Sequence, residues 1–187
     1  ANGQLGSECR VLSALHPDDE FIFVGSHELP IDDAQKVEEF FTKHQFDFCI
    51  NAAAYTAVDQ AESDFDKAFA VNATAAGQLA AACSKQHCRL IHISTDYVFD
   101  GEKAEGYLPD DETGPINNYG RSKLEGEKLV LLNQPEAIVI RTSWVYSSFG
   151  KNFVKTMMRL MREKEEINVV NDQTGRPTYA FELASAI

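Results

Sequence analysis

Basic residues are scarce in this 187-residue chain: 17 Lys and Arg stand against 29 Asp and Glu, a net charge of −12. That deficit argues against nucleic acid or an anionic membrane as a partner, because no basic cluster offsets it. Long apolar runs are missing as well, so neither a membrane span nor a signal peptide is read. Cysteine is confined to Cys9, Cys49, Cys83 and Cys88, without a CxxC pair. The chain is too large to need disulfide staples, and the four read as reduced thiols of a cytoplasmic protein. Cys83, His87, Cys88 and His92 could outline a metal cluster. His87 and Cys88, however, fall at a helix-to-strand junction and His92 lies inside an apolar run, so a structural role is expected and no metal site is assigned. Repeats and low-complexity segments are absent.

What is present is alternation. Residues 21–24 form a short apolar run read as a strand. Asp32 is the expected N-cap of a helix carrying Ala34, Val37, Phe40 and Phe41 at helical spacing. Residues 46–50 read as a buried strand, 64–85 as one long Ala-rich helix and 90–93 as the next strand. Residues 100–117 form an acidic loop with Gly and Pro, long enough to be functional. Helix is expected over 118–132, strand over 137–141 and helix over 152–162, whose Met157, Leu160 and Met161 face reads as packing. Strand over 167–170 and a helix from Tyr179 complete the pattern. This order predicts an α/β fold with a doubly wound parallel sheet of Rossmann type, followed by part of a small C-terminal substrate-binding domain. The expected division is 1–146 for the dinucleotide-binding domain and 147–187 for the start of the substrate-binding region. The opening Ala1-Asn2-Gly3-Gln4-Leu5-Gly6 reads as the middle of a motif whose strand is missing, and the last residues stop inside a helical pattern. The expectation is a piece of a longer chain.

In a doubly wound sheet, ligands bind at the C-terminal ends of strands. Four features fall at such places. Gly3-Gln4-Leu5-Gly6 has the spacing of a glycine turn that brings backbone N–H groups to a pyrophosphate. Asn51-Ala52-Ala53-Ala54 ends a strand with methyl-sized side chains that leave room for a ring or ribose. Ser94-Thr95-Asp96-Tyr97 ends the next strand with two hydroxyls. Tyr119-Gly-Arg-Ser-Lys123 puts a phenol and an ammonium on one helical face, where the cation is expected to lower the phenol's pKa toward neutrality. Each alone also fits a bland reading: a turn, tight packing, a cap, an ordinary helix.

In this order the four resemble an extended short-chain dehydrogenase/reductase. Three further stretches narrow the likeness: the continuation of the Asn51 strand end to Glu62, Arg141-Thr-Ser-Trp-Val-Tyr146, and Asn171-Asp-Gln-Thr-Gly-Arg-Pro-Thr178. With them the chain is similar to the dTDP-4-dehydrorhamnose reductase family. The resemblance implies reduction of the C4 ketone of a dTDP-4-dehydro-6-deoxy sugar by NADPH or NADH. It implies Tyr119 as general acid, Lys123 as holder of the nicotinamide ribose and Thr95 as orienter of the carbonyl. Gly3, Gln4 and Leu5 would line the pyrophosphate turn, and Ala53, Ala54 and Tyr55 the adenosine-ribose side. Asp96 and Trp144 would contact the sugar. Glu8 matches a position linked to magnesium in some members, against the plainer reading of an exposed, solvated charge.

The family's usual Asp before the second helix is replaced in Leu29-Pro30-Ile31, and the connection from Val24 to Leu29 is short. The choice between NADH and NADPH therefore stays open. A homodimer is a candidate assembly. A non-catalytic subunit like the reductase-like regulator of methionine adenosyltransferase, and another nucleotide-sugar reductase or epimerase, are the alternative readings. Trp144 favours the sugar-nucleotide enzyme.

Overall fold

The computed structural model describes residues 1–171 and 173–187. Asp172, within the stretch 171–178 singled out above, lies outside the described residues. Contacts divide the chain into two compact units, residues 24–141 and residues 1–23 with 142–187.

The unit of residues 24–141 holds a three-stranded sheet of order β1-β2-β3, from β1 (Phe48–Asn51), β2 (Arg89–Thr95) and β3 (Ile138–Thr142). β1 runs parallel to β2, with Cys49 opposite Leu90 and Asn51 opposite His92. The predicted α/β class with a parallel sheet therefore holds. Helix α2 (Ala34–Lys43) packs Val37 and Phe41 into the same buried cluster as Leu79, Leu90 and Val130. Its cap is Asp33, not Asp32: the Asp33 carboxylate accepts the Lys36 N–H at 3.1 Å, the third-residue reach that an N-cap side chain spans. The four cysteines are all free.

The predicted long helix over 64–85 is broken in three. Helix α3 (Phe65–Phe69) and helix α4 (Ala75–Lys85) flank a π-turn, Ala70–Thr74. The cause lies across the interface. Helix α5 (Asn118–Asn133) presses so closely on this turn that a Cβ at Gly126 would sit 2.1 Å from the Asn72 carbonyl oxygen. At the helix start, a Cβ at Gly120 would sit 2.1 Å from the Tyr97 carbonyl oxygen. Only glycine permits either approach. Widening by one residue also turns the Asn72 side chain inward, consistent with the association of π-bulges and functional positions.

The other unit pairs β4 (Val145–Tyr146) in parallel with β5 (Thr178–Tyr179). Helix α1 (Gln4–Ser13) packs on α7 (Ala180–Ala186), and α6 (Phe153–Glu163) completes the unit. Three expectations fail. Residues 21–24 and 167–170 form no strand; an apolar run marks what can be buried, but a strand also needs a neighbour in register. Phe21, Ile22, Val169 and Val170 are exposed instead. The Met157, Leu160 and Met161 face is not core either: α6 buries no residue, and Met161 is 69% exposed. Spacing shows which face can pack, whereas packing needs an opposing layer. Among the described residues, no helix is long and apolar enough to cross a membrane.

The Gly126 contact yields a direct test. Gly126→Ala is expected to destabilise the protein by about 2–3 kcal/mol, because the clash is with backbone that cannot rotate away. Urea unfolding monitored by circular dichroism measures it.

Candidate active site

Thr95, Asp96, Tyr119 and Lys123 come together in the unit of residues 24–141. β2 ends at Thr95, and a short 3-10 turn (Asp96–Val98) follows directly, with the Thr95 hydroxyl accepting the Tyr97 N–H at 3.3 Å. That hydroxyl also donates to the Asp96 carboxylate at 3.0 Å. Helix α5 starts at a well-made cap: the Asn117 amide oxygen accepts the Gly120 N–H at 2.7 Å. This places Tyr119 in its first turn, with its ring edge-on to Tyr97 at 5.5 Å. The Thr95 side chain lies close enough to the Tyr119 phenol to favour its ionised form. Lys123, one turn on, is 1% exposed and donates from Nζ to the Ile93 carbonyl at 2.7 Å.

The expected electrostatics reverse at the phenol. Burial pushes the Tyr119 hydroxyl up to about 12; Thr95 opposes this, and Asp96 and Tyr97 add to it. The Lys123 ammonium, whose hydrogen bond goes to the strand backbone, does not lower it. Lys123 itself is drawn down to about 8 by burial, with Glu127 opposing. Both shifts are desolvation of the charged form. They leave a phenol that keeps its proton at neutral pH beside an amine that titrates near neutrality.

Two polar residues that sequence reasoning missed hold this arrangement. Asn72, from the π-turn, accepts the Tyr55 N–H at 2.8 Å and donates to the Tyr55 carbonyl at 3.1 Å and to the Ser122 hydroxyl at 2.9 Å. Ser122 in turn donates to the Tyr119 carbonyl at 2.7 Å. The Tyr55 backbone and helix α5 are thereby fixed to one amide. Asn72 is an amide set between Val71 and Ala73 in an Ala-rich stretch, and that contrast was the available signal. On the β1 side, the Asn51 amide oxygen accepts the Ala53 N–H at 3.1 Å, and its nitrogen contacts His92 Nδ1 at 3.1 Å. Ala53 and Ala54 follow on open backbone, Ala53 exposed and Ala54 half-buried.

The unit of residues 1–23 and 142–187 carries Gly3, Gln4, Leu5, Glu8 and Trp144. Gly3 is the N-cap of α1, no side chain caps it, and a Cβ there would meet nothing within 4 Å. A helix N-terminus with open space and uncapped N–H groups suits an anionic group, and the residues present fit a dinucleotide's pyrophosphate. The Gln4 side chain donates to the Val145 carbonyl at 3.1 Å and accepts from Asn152 at 2.8 Å, which fixes that turn. Glu8 is not a solvated charge: it is 3% exposed and accepts from the Ser147 hydroxyl at 2.6 Å. No group of three or more His, Cys, Asp or Glu able to hold a metal occurs among the described residues, so the magnesium suggestion finds no support. Trp144 takes a left-handed backbone, φ 47°, and stands edge-on to Phe153 at 5.5 Å. Its Nε1 lies so near Gly175 that a Cβ there would be 2.5 Å away. Ser143 donates to the Arg176 carbonyl at 2.7 Å. The two motif stretches around Trp144 and Gly175 thus pack on each other.

His92 supplies a pH test. Burial first, then the Lys123 charge, depresses its imidazole from 6.5 to about 3. The unfolded chain therefore takes up this proton as pH falls below about 6.5 while the folded chain does not, so stability is full above that value and is lost progressively toward about 3. The urea midpoint is expected to fall between about pH 7 and pH 5 in the parent protein, and to fall less in His92→Gln.

The family described as RmlD substrate binding domain matches residues 1–187. The spore coat polysaccharide biosynthesis protein SpsK of Bacillus subtilis is 42% identical over 188 residues, covering 100% of this chain and 66% of its own length. A dTDP-4-dehydrorhamnose reductase of Mycobacterium tuberculosis is 47% identical over 192 residues, covering 100% and 62%. The crystal structure of dTDP-4-dehydrorhamnose reductase from Bacillus anthracis in complex with NADP superposes with a TM-score of 0.94 at 41% identity, covering 99% of this chain and 66% of that one. The chain thus spans just under two thirds of these relatives. With the match running from first residue to last, the chain belongs to the RmlD substrate binding domain family.

Proposed function

We propose that the protein containing this chain is an oxidoreductase that uses NADPH or NADH to reduce the C4 ketone of dTDP-4-dehydro-6-deoxy-L-mannose to dTDP-L-rhamnose, a nucleotide-sugar step of surface polysaccharide biosynthesis. The observation that carries this reading is the gathering of buried Thr95, Tyr119 and Lys123 where β2 ends beside the start of α5. Two hydroxyls that can converge on one oxygen suit a centre where an oxyanion develops. The relatives' names support the sugar, and the NADP held by the Bacillus anthracis protein favours the phosphorylated cofactor. The free cysteines support a cytoplasmic setting.

The cofactor supplies the hydride. Thr95 and Tyr119 hold the ketone oxygen, so that the carbonyl π-bond breaks toward them as the C4–H bond forms. The oxygen then takes the Tyr119 proton, while Lys123, one turn along the helix, would hold the nicotinamide ribose. A phenol raised to about 12 is still protonated when the more basic alkoxide forms. Gly3, Gln4 and Leu5 would hold the pyrophosphate, Ala53, Ala54 and Tyr55 the adenosine ribose, and Asp96 and Trp144 the sugar. On this reading, residues 1–146 serve the dinucleotide and residues 147–187 begin the substrate-binding region. Magnesium has no part in the reading.

Tyr119→Phe is expected to lower kcat by about a thousandfold, within the range of general-acid removal, while leaving cofactor Kd within about twofold. Stopped assays with the keto-sugar and fluorescence titration with NADPH measure the two. Turnover retained within tenfold of the parent would refute the role of Tyr119.

A further inference from the structure

Arg141, at the end region of β3, has every nitrogen of its guanidinium engaged within residues 24–141. Its Nε donates to Glu127 Oε1 at 3.0 Å and its Nη2 to Glu127 Oε2 at 2.7 Å, a two-pronged grip on a carboxylate only 4% exposed. Its Nη1 donates to the Pro109 carbonyl at 2.9 Å. The guanidinium carbon lies 4.9 Å from the ring centre of Phe99, which stacks on Tyr107 at 4.1 Å with the planes 10° apart. One cation thus meets helix α5 on one side and the loop of residues 100–117 on the other.

That loop is closed on itself by its own polar contacts. Lys103 pairs with Asp111 at 2.5 Å, the Asp111 carboxylate accepts the Leu108 N–H at 2.6 Å, and the Tyr107 hydroxyl donates to Asp100. The Gly114 N–H donates to the Val98 carbonyl at 3.0 Å. The loop leaves the 3-10 turn that follows Thr95 and returns at the cap of the helix bearing Tyr119, so its order bears on the spacing of the two hydroxyls. Glu127 lies one turn beyond Lys123 on α5, and its charge acts on the Lys123 ammonium.

We propose that Arg141 is a positioning residue for the reduction: it fastens the loop of residues 100–117 to helix α5 and, by neutralising Glu127, sets how strongly that carboxylate acts on the Lys123 ammonium. The proposal rests on the roles assigned above to Tyr119 and Lys123. A lysine in its place would keep the charge but lose the planar fork that reaches carboxylate and carbonyl together. The groups that act on or are acted on by the Lys123 charge are Glu127 from α5 and His92 from β2, while Arg141 from β3 faces Glu127 and Asp110 lies beyond it in the loop. His92 is held neutral by its burial, so Glu127 is the anion whose neutralisation Arg141 controls.

Two readouts in the intact protein test this. Lysine-selective carbon-13 NMR, with Lys123→Met identifying the resonance, follows the Lys123 titration that starts from about 8. Arg141→Met leaves Glu127 unneutralised and is expected to raise that midpoint by about one pH unit, whereas Glu127→Gln removes the anion and is expected to lower it by about one. Where kcat requires the ammonium, the basic limb of its pH profile follows in the same directions. A simple loss of packing would move both variants the same way. Chymotrypsin cleavage after Tyr107 is expected to quicken about tenfold in both Arg141→Met and Arg141→Lys. Shifts of one sign in Arg141→Met and Glu127→Gln, or loop cleavage at the parent rate in both Arg141 variants, would overturn the proposal. A parent protein without reductase activity would overturn the function while the NMR and cleavage readouts still decide the role of Arg141.

Discussion

Helix α5 lies against backbone, and the geometry of the candidate site depends on that contact. Gly126 meets the carbonyl of Asn72 and Gly120 meets that of Tyr97, each at a separation no Cβ could share. Side-chain packing tolerates small shifts by changing rotamers, but backbone against backbone does not. The helix is therefore held at one depth and one rotation, and Tyr119 and Lys123, both on it, are carried to fixed places beside the end of β2. The π-turn is the counterpart on the other side. It takes up the extra residue and turns Asn72 toward Tyr55 and Ser122, so that the strand-end backbone and the helix answer to the same amide.

That depth also sets the chemistry. A helix this close to the sheet buries the face that carries Tyr119 and Lys123, and burial penalises charge on both alike. The phenol moves up and the amine moves down. These shifts bring an acid that retains its proton and a cation of moderate acidity to one spot, which is what reduction of a ketone requires of the protein when the hydride comes from elsewhere. The buried carboxylate of Glu127, gripped by Arg141, keeps an anion near the amine without leaving it unpaired, a situation that would be costly in a poorly solvated place.

Much of this was legible in the sequence, and the misses have physical causes. Helix α5 was read at 118–132 against Asn118–Asn133, because local sequence favours helix there. The strand ends at Asn51 and Thr95 were legible for the same reason. The π-turn was not, since a single Asn in an Ala-rich run keeps helical spacing and only the opposing Gly126 reveals the distortion. Residues 21–24 and 167–170 looked like strands because apolar content does not specify a pairing partner. Glu8 looked solvated because sequence cannot see Ser147 reaching it from far along the chain. The expected drop in the Tyr119 pKa followed from counting a nearby charge and leaving out burial, which proved the larger effect. Arg141 and Glu127 carried no short-range signal at all, since their pairing joins β3 to α5.

The most direct test of the account follows the hydride. The intact protein would be supplied with dTDP-4-dehydro-6-deoxy-L-mannose and NADPH deuterated on the transferring face of its nicotinamide, and the product sugar examined by NMR and mass spectrometry. The account predicts one deuterium, bonded to C4 of the sugar, in a product that has gained two mass units from hydrogen plus one for the label. Unchanged ketone, or a product carrying the label anywhere other than C4, would contradict it.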